Sequence, residues 1–207
     1  MPGAWTIIAI VAIALGAIGF EVSISVAAND PLAEVRATFD ETGPVFSNTN
    51  IRSSEQQQRL RAIAEHHFDF AYMARFAMGT HWKSLTPVQR KEFVPLFTDH
   101  VVSTYMTRLE QGTVEAASHA LKDKVGYDGA DRATVYSVVK LPMLADPLAV
   151  NYLLRKDEGR WKLYDIVVDN ISTLANFRDE FNKIMNNGGY ARLVSDLRGE
   201  HASAIHQ

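Results

Sequence analysis

Apolar residues recur at helical spacing along the first part of the chain, which predicts three helices there. Residues 31–47 form the first, and we expect Gly43-Pro44 to break it. A second helix is predicted to run to Ala64 from a capping serine at position 53 or 54. A short and very apolar helix follows over residues 68–79 and is predicted to end at its glycine.

The stretch Thr86-Pro87-Val88-Gln89 gives the clearest helix start. Thr86 can cap the helix, Pro87 suits the first helical position, and Gln89 can reach back as in a capping box. The helix is predicted to end near Gln111. Its apolar residues are Phe93, Leu96, Phe97, Val101, Tyr105, Met106 and Leu109. They spread over a face that is wider than a contact between two elements requires.

After Gly112 the pattern changes to the alternation that is typical of strands. Strands are predicted at residues 113–118, 121–127, 133–141, 148–156 and 160–169. The turns between them are Asp128-Gly129, Asp146-Pro147 and Glu158-Gly159. Two helices close the chain, at about 172–186 and 190–198, divided by Asn187-Gly188-Gly189.

Strands in series with short links predict an antiparallel meander. The order of helices, sheet and helices predicts an α+β fold, with a curved antiparallel sheet of about four to five strands that helices cover on one face. We expect a single domain over residues 29–207.

The alternation within strand 160–169 points to a cavity. One predicted face carries Trp161, Leu163, Asp165, Val167 and Asp169, and the other carries Lys162, Tyr164, Ile166 and Val168. Neither face is cleanly polar. A sheet that is apolar on both faces is either covered on both or lines a cavity, so we expect an enclosed apolar cavity.

Composition narrows the classes of function. The chain has 207 residues, of which 47% are hydrophobic and 22% are charged, which is a globular profile. A net charge of −3 gives no basic footprint for nucleic acid. The absence of cysteine excludes disulfides, thiolate catalysis and thiolate metal sites.

Residues 6–20 form an uncharged apolar run, shorter than the roughly 20 residues that a membrane span needs. The length fits the apolar region of a secretory signal, and Ala27-Ala28 offers small residues for cleavage. We therefore expect residues 1–28 to be a signal peptide. Because no Lys or Arg precedes the run, an uncleaved anchor is the alternative.

Two blocks of the sequence resemble signatures of the MlaC family, also called the toluene-tolerance auxiliary family. The first is GTHWKSLTPVQRKEFVPLF at 79–97, and the second is WKLYDIVVDNIS followed by NFRDEF. At the strand-to-helix join the family often has an acid followed by Gly-Val-Ser, whereas this chain has Asp169-Asn170-Ile171-Ser172. Asn tolerates a left-handed conformation, so we expect the turn to be preserved. A hopanoid-associated branch of the family is an open alternative.

The resemblance implies a periplasmic phospholipid carrier that shuttles lipid between the outer and inner membranes. Lipid tails would lie in a cavity between sheet and helices, with the head group near solvent. The implied partners are phospholipid, an outer-membrane lipoprotein–porin complex, and an inner-membrane complex of an MCE-type ring with an ABC transporter. Catalysis, cofactors and metals are not expected.

Eight residues are predicted to line the lipid cavity: Phe97, Val101, Tyr105, Tyr152, Tyr164, Val168, Ile171 and Phe177. Phe70, Met73 and Phe76 are secondary candidates. Each could equally be ordinary core, because aromatic residues at helical spacing usually are.

Particular residues are compatible with other functions. Asp165 and Asp169 could act as an acid–base pair of an isomerase-like enzyme in an apolar pocket, or could simply cap a helix and form a turn. His66-His67 point about 100° apart on a helix and are poorly placed to share a metal ion. Arg178, Arg75 and Lys83 could meet a phosphate or pair with surface acids.

Overall fold

A computed structural model describes residues 30–48, 53–110, 118–140 and 145–205. The helices are α1 Pro31–Ser47, α2 Ser53–His67, α3 Phe70–Met78, a 3-10 helix Gly79–Ser84, α4 Pro87–Glu110 and α5 Thr173–Ile205. The strands are β1 Ser118–Asp128, β2 Arg132–Lys140, β3 Leu148–Asp157, β4 Arg160–Val168 and β5 Ile171–Ser172. Three predictions fall on residues outside the described ranges: the signal peptide, the strand residues 113–117 and the end of α4 at Gln111.

Local capping signals set the starts of α3 and α4, and the start of α4 is the one that was predicted. The Thr86 backbone N–H donates to Gln89 Oε1 at 2.9 Å, and the Gln89 N–H donates to Thr86 Oγ1 at 3.2 Å, which confirms the capping box. Asp69 caps α3, accepting from the Tyr72 N–H at 2.9 Å. Gly79 ends α3 with φ 52, a left-handed conformation that glycine adopts without steric cost.

The predicted break at Gly43-Pro44 is wrong, because α1 continues through it to Ser47. A proline removes one hydrogen bond from a helix and crowds the preceding turn. Here it lies in the last turn, where only three helical residues follow it. The carbonyl of Val45 accepts a hydrogen bond from Gln56 Nε2 at 3.0 Å, so α2 supplies a partner to the end of α1.

The sheet is antiparallel with the order β1-β2-β3-β4-β5, and the predicted α+β class is confirmed. Residues 118–121 and 125–128 belong to one strand, β1, and not to two. The predicted gap at residues 119–120 is wrong, because His119 and Ala120 pair with Val139 and Val138 of β2. The pairing is interrupted further along, by a register shift between Leu121 and Val125.

The predicted alternation of β4 is also wrong beyond Leu163. Leu154 pairs with Leu163, but the adjacent Leu153 pairs with Asp165, so Tyr164 is an extra residue in a bulge. After the bulge, Ile166 and Val168 pair with Tyr152 and Val150. One inserted residue therefore moves every later side chain of β4 to the face opposite the predicted one.

Two apolar clusters form the interior. The sheet cluster lies where α1 packs on the sheet, and its buried members include Val35, Phe39, Val150, Tyr152 and Val168. The helix cluster is formed mainly by α3, α4 and α5. Phe68, in the link between α2 and α3, packs against both clusters and forms a parallel bridge with Leu163.

The closing helix is divided where the sequence predicts it. Gly189 has φ 68 and ψ −171 inside α5, so two helical segments meet there at a kink. The second segment is held to α4, because the Tyr190 hydroxyl donates to the Gln89 carbonyl at 2.9 Å and lies 3.0 Å from Glu92. Arg198 also pairs with Glu92 at 2.7 Å.

Candidate functional site

The structure divides the predicted wall residues between the two clusters. Tyr152 and Val168 belong to the sheet cluster, and Phe97, Val101 and Phe177 belong to the helix cluster. All five are buried. They come together as two adjoining apolar surfaces and not as a single ring around one centre.

Two further predicted wall residues are not among the buried members of the clusters. Tyr164, in the bulge of β4, is half-buried and packs against the helix cluster. Ile171 is 41% exposed, on the short strand β5 opposite Val168. The side chain of Tyr105 is outside the described residues. Of the secondary candidates, Phe70 and Met73 are buried in the helix cluster and Phe76 packs against it.

Tyr152 is the largest fully buried side chain of the sheet cluster. Its ring meets Phe39 of α1 edge to face at 5.4 Å. Burial raises the pKa of Tyr152, outweighing the opposing effect of a hydrogen bond with Ser137. Ser137 donates in turn to the Val150 carbonyl at 2.8 Å. The hydroxyl of Tyr152 is thus satisfied, and the surface around it remains apolar.

Aromatic rings dominate the helix cluster. Phe97 contacts Phe177 and Phe181 edge to face at 5.7 and 6.0 Å, and it lies 6.0 Å from Phe93 in a stacked arrangement. The buried ring of His100 lies 5.7 Å from Phe177. The cluster is thus a packed set of rings with few polar groups.

A buried histidine fastens α1 over the sheet cluster. His67, at the end of α2, is 2% exposed. Its Nδ1 lies 2.7 Å from Glu34 and its Nε2 lies 3.3 Å from Glu41, and both glutamates belong to α1. Burial by itself lowers the pKa of His67, but the hydrogen bond with Glu34 and the charges of Glu34 and Glu41 outweigh it and raise that pKa. His67 therefore ties α1 to α2 through these contacts.

Asp165 lies at the join between β4 and α5, where its carboxylate has a structural role. Asp165 accepts from the Leu174 N–H at 3.0 Å, from the Ile166 N–H at 2.9 Å and from the Ser172 hydroxyl at 2.5 Å. Burial raises the pKa of Asp165 even though these donors favour its charged form. Both oxygens of this buried carboxylate are engaged by donors of its own chain.

Asp169 and Asn170 form the turn between β4 and β5. Both have positive φ, 46 and 67, which is the backbone of a two-residue hairpin turn. Asp169 also accepts from the Ala149 N–H at 3.0 Å and extends the pairing of β3 with β4. Asn170 therefore preserves the turn where the family often has glycine.

The histidines and basic residues that could bind a metal ion or a phosphate were located in the structure. The rings of His66 and His67 are nearly perpendicular, and among the described residues no group of histidines and acids is arranged to hold a metal ion. Arg178 lies over the ring of Phe76 at 5.4 Å and is 3.7 Å from Asp179. Arg75 and Lys83 are exposed.

Among the clefts lined by described residues, one of about 350 Å³ lies between α2, α3, α4 and the β3–β4 end of the sheet. Phe68 and Phe70 share its lining with Arg61, Asp69 and Lys162. Another, of about 340 Å³, lies at the kink of α5. Both linings carry charged side chains, so neither cleft suits acyl chains, and neither includes one of the eight predicted wall residues.

Sequence reasoning missed a cluster of two arginines and two tyrosines. Arg132 and Arg155 pair directly across β2 and β3, and Tyr72 and Tyr164 lie beside them. The two arginines are far apart in the chain, so no spacing rule connects them. Only the register of the strands brings them together.

Within the described part of the chain, no helix has both the length and the apolar character needed to cross a bilayer. The model of the MlaC protein family matches residues 39–199. A solved structure of a phospholipid-binding protein from Ralstonia solanacearum, in complex with a phospholipid, has a similar fold with a TM-score of 0.71. The two sequences are 22% identical, and the match covers 87% of this chain and 99% of the other.

Proposed function

Because this chain belongs to the MlaC family, we propose that it binds the acyl chains of a phospholipid in its interior and carries that lipid between membranes. The observation that carries the proposal is the family match over residues 39–199. The fold is also similar to that of a protein solved with a phospholipid. The proposed activity is binding and release, without catalysis.

The physics of transfer explains why such a protein is useful. Each methylene that leaves an apolar environment for water costs about 0.8 kcal/mol. Two tails with roughly 30 methylenes therefore cost on the order of 20 kcal/mol, which makes unassisted passage through water negligible. A carrier must replace the bilayer with an apolar surface and leave the head group hydrated. It does not need the strict geometry of a catalytic site.

We propose that the tails lie where the sheet cluster and the helix cluster adjoin. Tyr152 and Val168 would form the sheet side, and Phe97, Val101 and Phe177 the helix side. Tyr105, Tyr164 and Ile171 complete the proposed wall. α1 would roof the sheet side, because Phe39 packs on Tyr152.

The place of action and the partners are part of the proposal. Residues 1–28 would export the chain to the periplasm as a signal peptide, and residues 29–207 would form one lipid-binding domain. The partners would be an outer-membrane lipoprotein–porin complex and an inner-membrane MCE/ABC transporter complex. The saturated hydrogen bonding of Asp165 argues against an acid–base role for that residue.

The direct test is native mass spectrometry of the full chain purified from the periplasm, followed by lipid extraction. We expect diacyl phospholipid to co-purify with the protein. Protein that carries no lipid and takes up none from phospholipid vesicles would overturn the proposal. A hopanoid as the only bound lipid would replace phospholipid as the cargo.

A matched pair of variants tests the wall. Ile171→Glu is expected to lose the co-purified phospholipid, because a charge would face the tails, while the fold is unaffected at a position that is 41% exposed. Val88→Glu, on α4 and 77% exposed, introduces the same charge away from the proposed wall and should retain the lipid. Equal lipid content in the two variants would remove Ile171 from the wall.

A further inference from the structure

Two arginines lie directly opposite each other in the sheet. Arg132 begins β2 and pairs in register with Arg155 near the end of β3. Each neighbours a buried residue of the sheet cluster, Ala133 or Leu154, so both point to the face away from α1. Like charges directly opposite on neighbouring strands destabilise a sheet unless something neutralises them.

Arg155 has ion-pair partners among the described residues, whereas Arg132, which pairs in register with Asp128 on its other side, has none of them within ion-pair distance. Arg155 forms an ion pair with the buried Asp69 and lies 3.6 Å from Asp157. Among the described residues no carboxylate lies within ion-pair distance of Arg132, whose side-chain partners are two tyrosines. One positive charge of the pair therefore remains without a counter-ion from the described chain.

The tyrosines place two hydroxyl groups beside this charge. Arg132 Nη2 donates to the Tyr72 hydroxyl at 3.3 Å, and Nη1 donates to the Tyr164 hydroxyl at 3.5 Å. These bonds are longer than the usual 2.7–3.2 Å, so they are weak and are easily exchanged for a better acceptor. The tyrosine rings hold each other edge to face at 5.2 Å, which fixes the two hydroxyls relative to the guanidinium.

This arrangement matches the chemistry of a phosphate group. A guanidinium offers a planar fork of N–H donors that fits two phosphate oxygens, and a tyrosine hydroxyl can donate to a third. Arg132 is exposed, so a ligand can reach it without any movement of the fold. The rings beneath the guanidinium orient it, since arginine is attracted to aromatic faces.

We propose that Arg132, with the hydroxyls of Tyr72 and Tyr164, forms a binding site for a phosphate group on the sheet face opposite α1. The phosphate is either that of a lipid head group or a free phosphate ion. The site stands apart from the proposed tail-binding wall except at Tyr164, which belongs to both.

The test uses NMR of the full chain, following during titration the side-chain Nε–Hε signal of Arg132 and, in every variant including Arg132→Gln, the backbone amide signals of residues 132–134 and 163–165. One probe is inorganic phosphate, and the other is dihexanoyl phosphatidylglycerol below its micelle concentration. We expect saturable shifts of the Arg132 signal. Arg132→Gln should weaken binding at least 10-fold, and Tyr72→Phe should weaken it several-fold. Arg160→Gln removes the same charge from an exposed position of β4 and should bind like the wild type.

The two probes distinguish a lipid head group from a free phosphate ion as the ligand of this site. Binding of both supports a site for the phosphate group itself, binding of the lipid alone supports a head-group site, and binding of phosphate alone supports a free ion. No saturable shift with either probe, or equal binding by Arg132→Gln and Arg160→Gln, overturns the inference. Lipid content is measured by mass spectrometry on the same samples. If Arg132→Gln loses phosphate binding but still carries acyl lipid, the phosphate site is separate from the tail-binding function.

Discussion

Replacing His67 by Gln should loosen α1 from α2 by an amount that depends on pH. His67 is 2% exposed and Glu34, its partner at 2.7 Å, has a side chain that is 21% exposed. A hydrogen bond between charged groups in such a setting contributes about 1.5–3 kcal/mol. Glu41 is half-exposed and 3.3 Å away, so its pairing adds less than about 1 kcal/mol. We expect a loss of about 2 kcal/mol, which for a chain of this length lowers the Tm by roughly 4–8 °C.

The sign of the pH dependence follows from the raised pKa of His67. A histidine whose pKa is higher in the folded state than its ordinary value of 6.5 binds its proton more tightly when folded. The stabilisation is therefore complete below pH 6.5 and is lost as the pH rises through the folded pKa. The difference between wild type and His67→Gln should be largest near pH 6 and should shrink at alkaline pH.

Urea unfolding of the full chain at several pH values between 5.5 and 9 measures this difference. His66→Gln, an exposed neighbour on the same helix, is the control and should change stability little at any pH. A double-mutant cycle with Glu34→Gln isolates the pair, and its coupling energy should decline with rising pH. A destabilisation by His67→Gln that is constant across the range, or that grows toward pH 9, would refute the reasoning.

Two further predictions concern local backbone signals. Thr86→Ala removes the acceptor of the Gln89 N–H and should cost about 1 kcal/mol in urea unfolding; an unchanged midpoint would show that the capping box does not stabilise α4. Gly189→Ala should cost about 1–2 kcal/mol, because no atom lies within 4 Å of the added methyl group and only the strain of φ 68 remains. Gly199→Ala is its control, equally uncrowded but without positive φ, and equal stabilities of the two alanine variants would contradict the strain argument.

Features that depend on residues close together in the sequence were predicted correctly. The capping box at Thr86 needs only residues three positions apart, and the end of α3 needs only one glycine. The proline of the first helix was given too much weight, since α1 continues past Pro44, whereas α4 continues past Pro95 as predicted. In α4 the buried rings of Phe93 and Phe97 lie on either side of Pro95, so packing outweighs the local cost of the proline.

The faces of β4 could not be read from alternation because of one inserted residue. Tyr164 and Val168 were predicted on the same face, but the bulge places Tyr164 against the helix cluster and Val168 in the sheet cluster. A bulge depends on how the partner strand pairs, and the composition of β4 alone does not show it. The proposed wall is consequently built from two surfaces, although the sequence suggested one.

The register of β2 with β3 is a feature that the sequence does not predict. The hairpin of β3 with β4 has a two-residue turn, Glu158-Gly159, with φ 48 and 82, and such a turn fixes the pairing of Asp157 with Arg160. The connection between β2 and β3, residues 141–147, is longer, and its length alone does not specify a register. A shift of one residue there would turn Arg155 to the opposite face and separate it from Arg132. A site formed by residues on opposed strands can therefore be identified only once the register of the strands is known. For this reason the spacing of Arg132 and Arg155 along the chain does not predict that they pair.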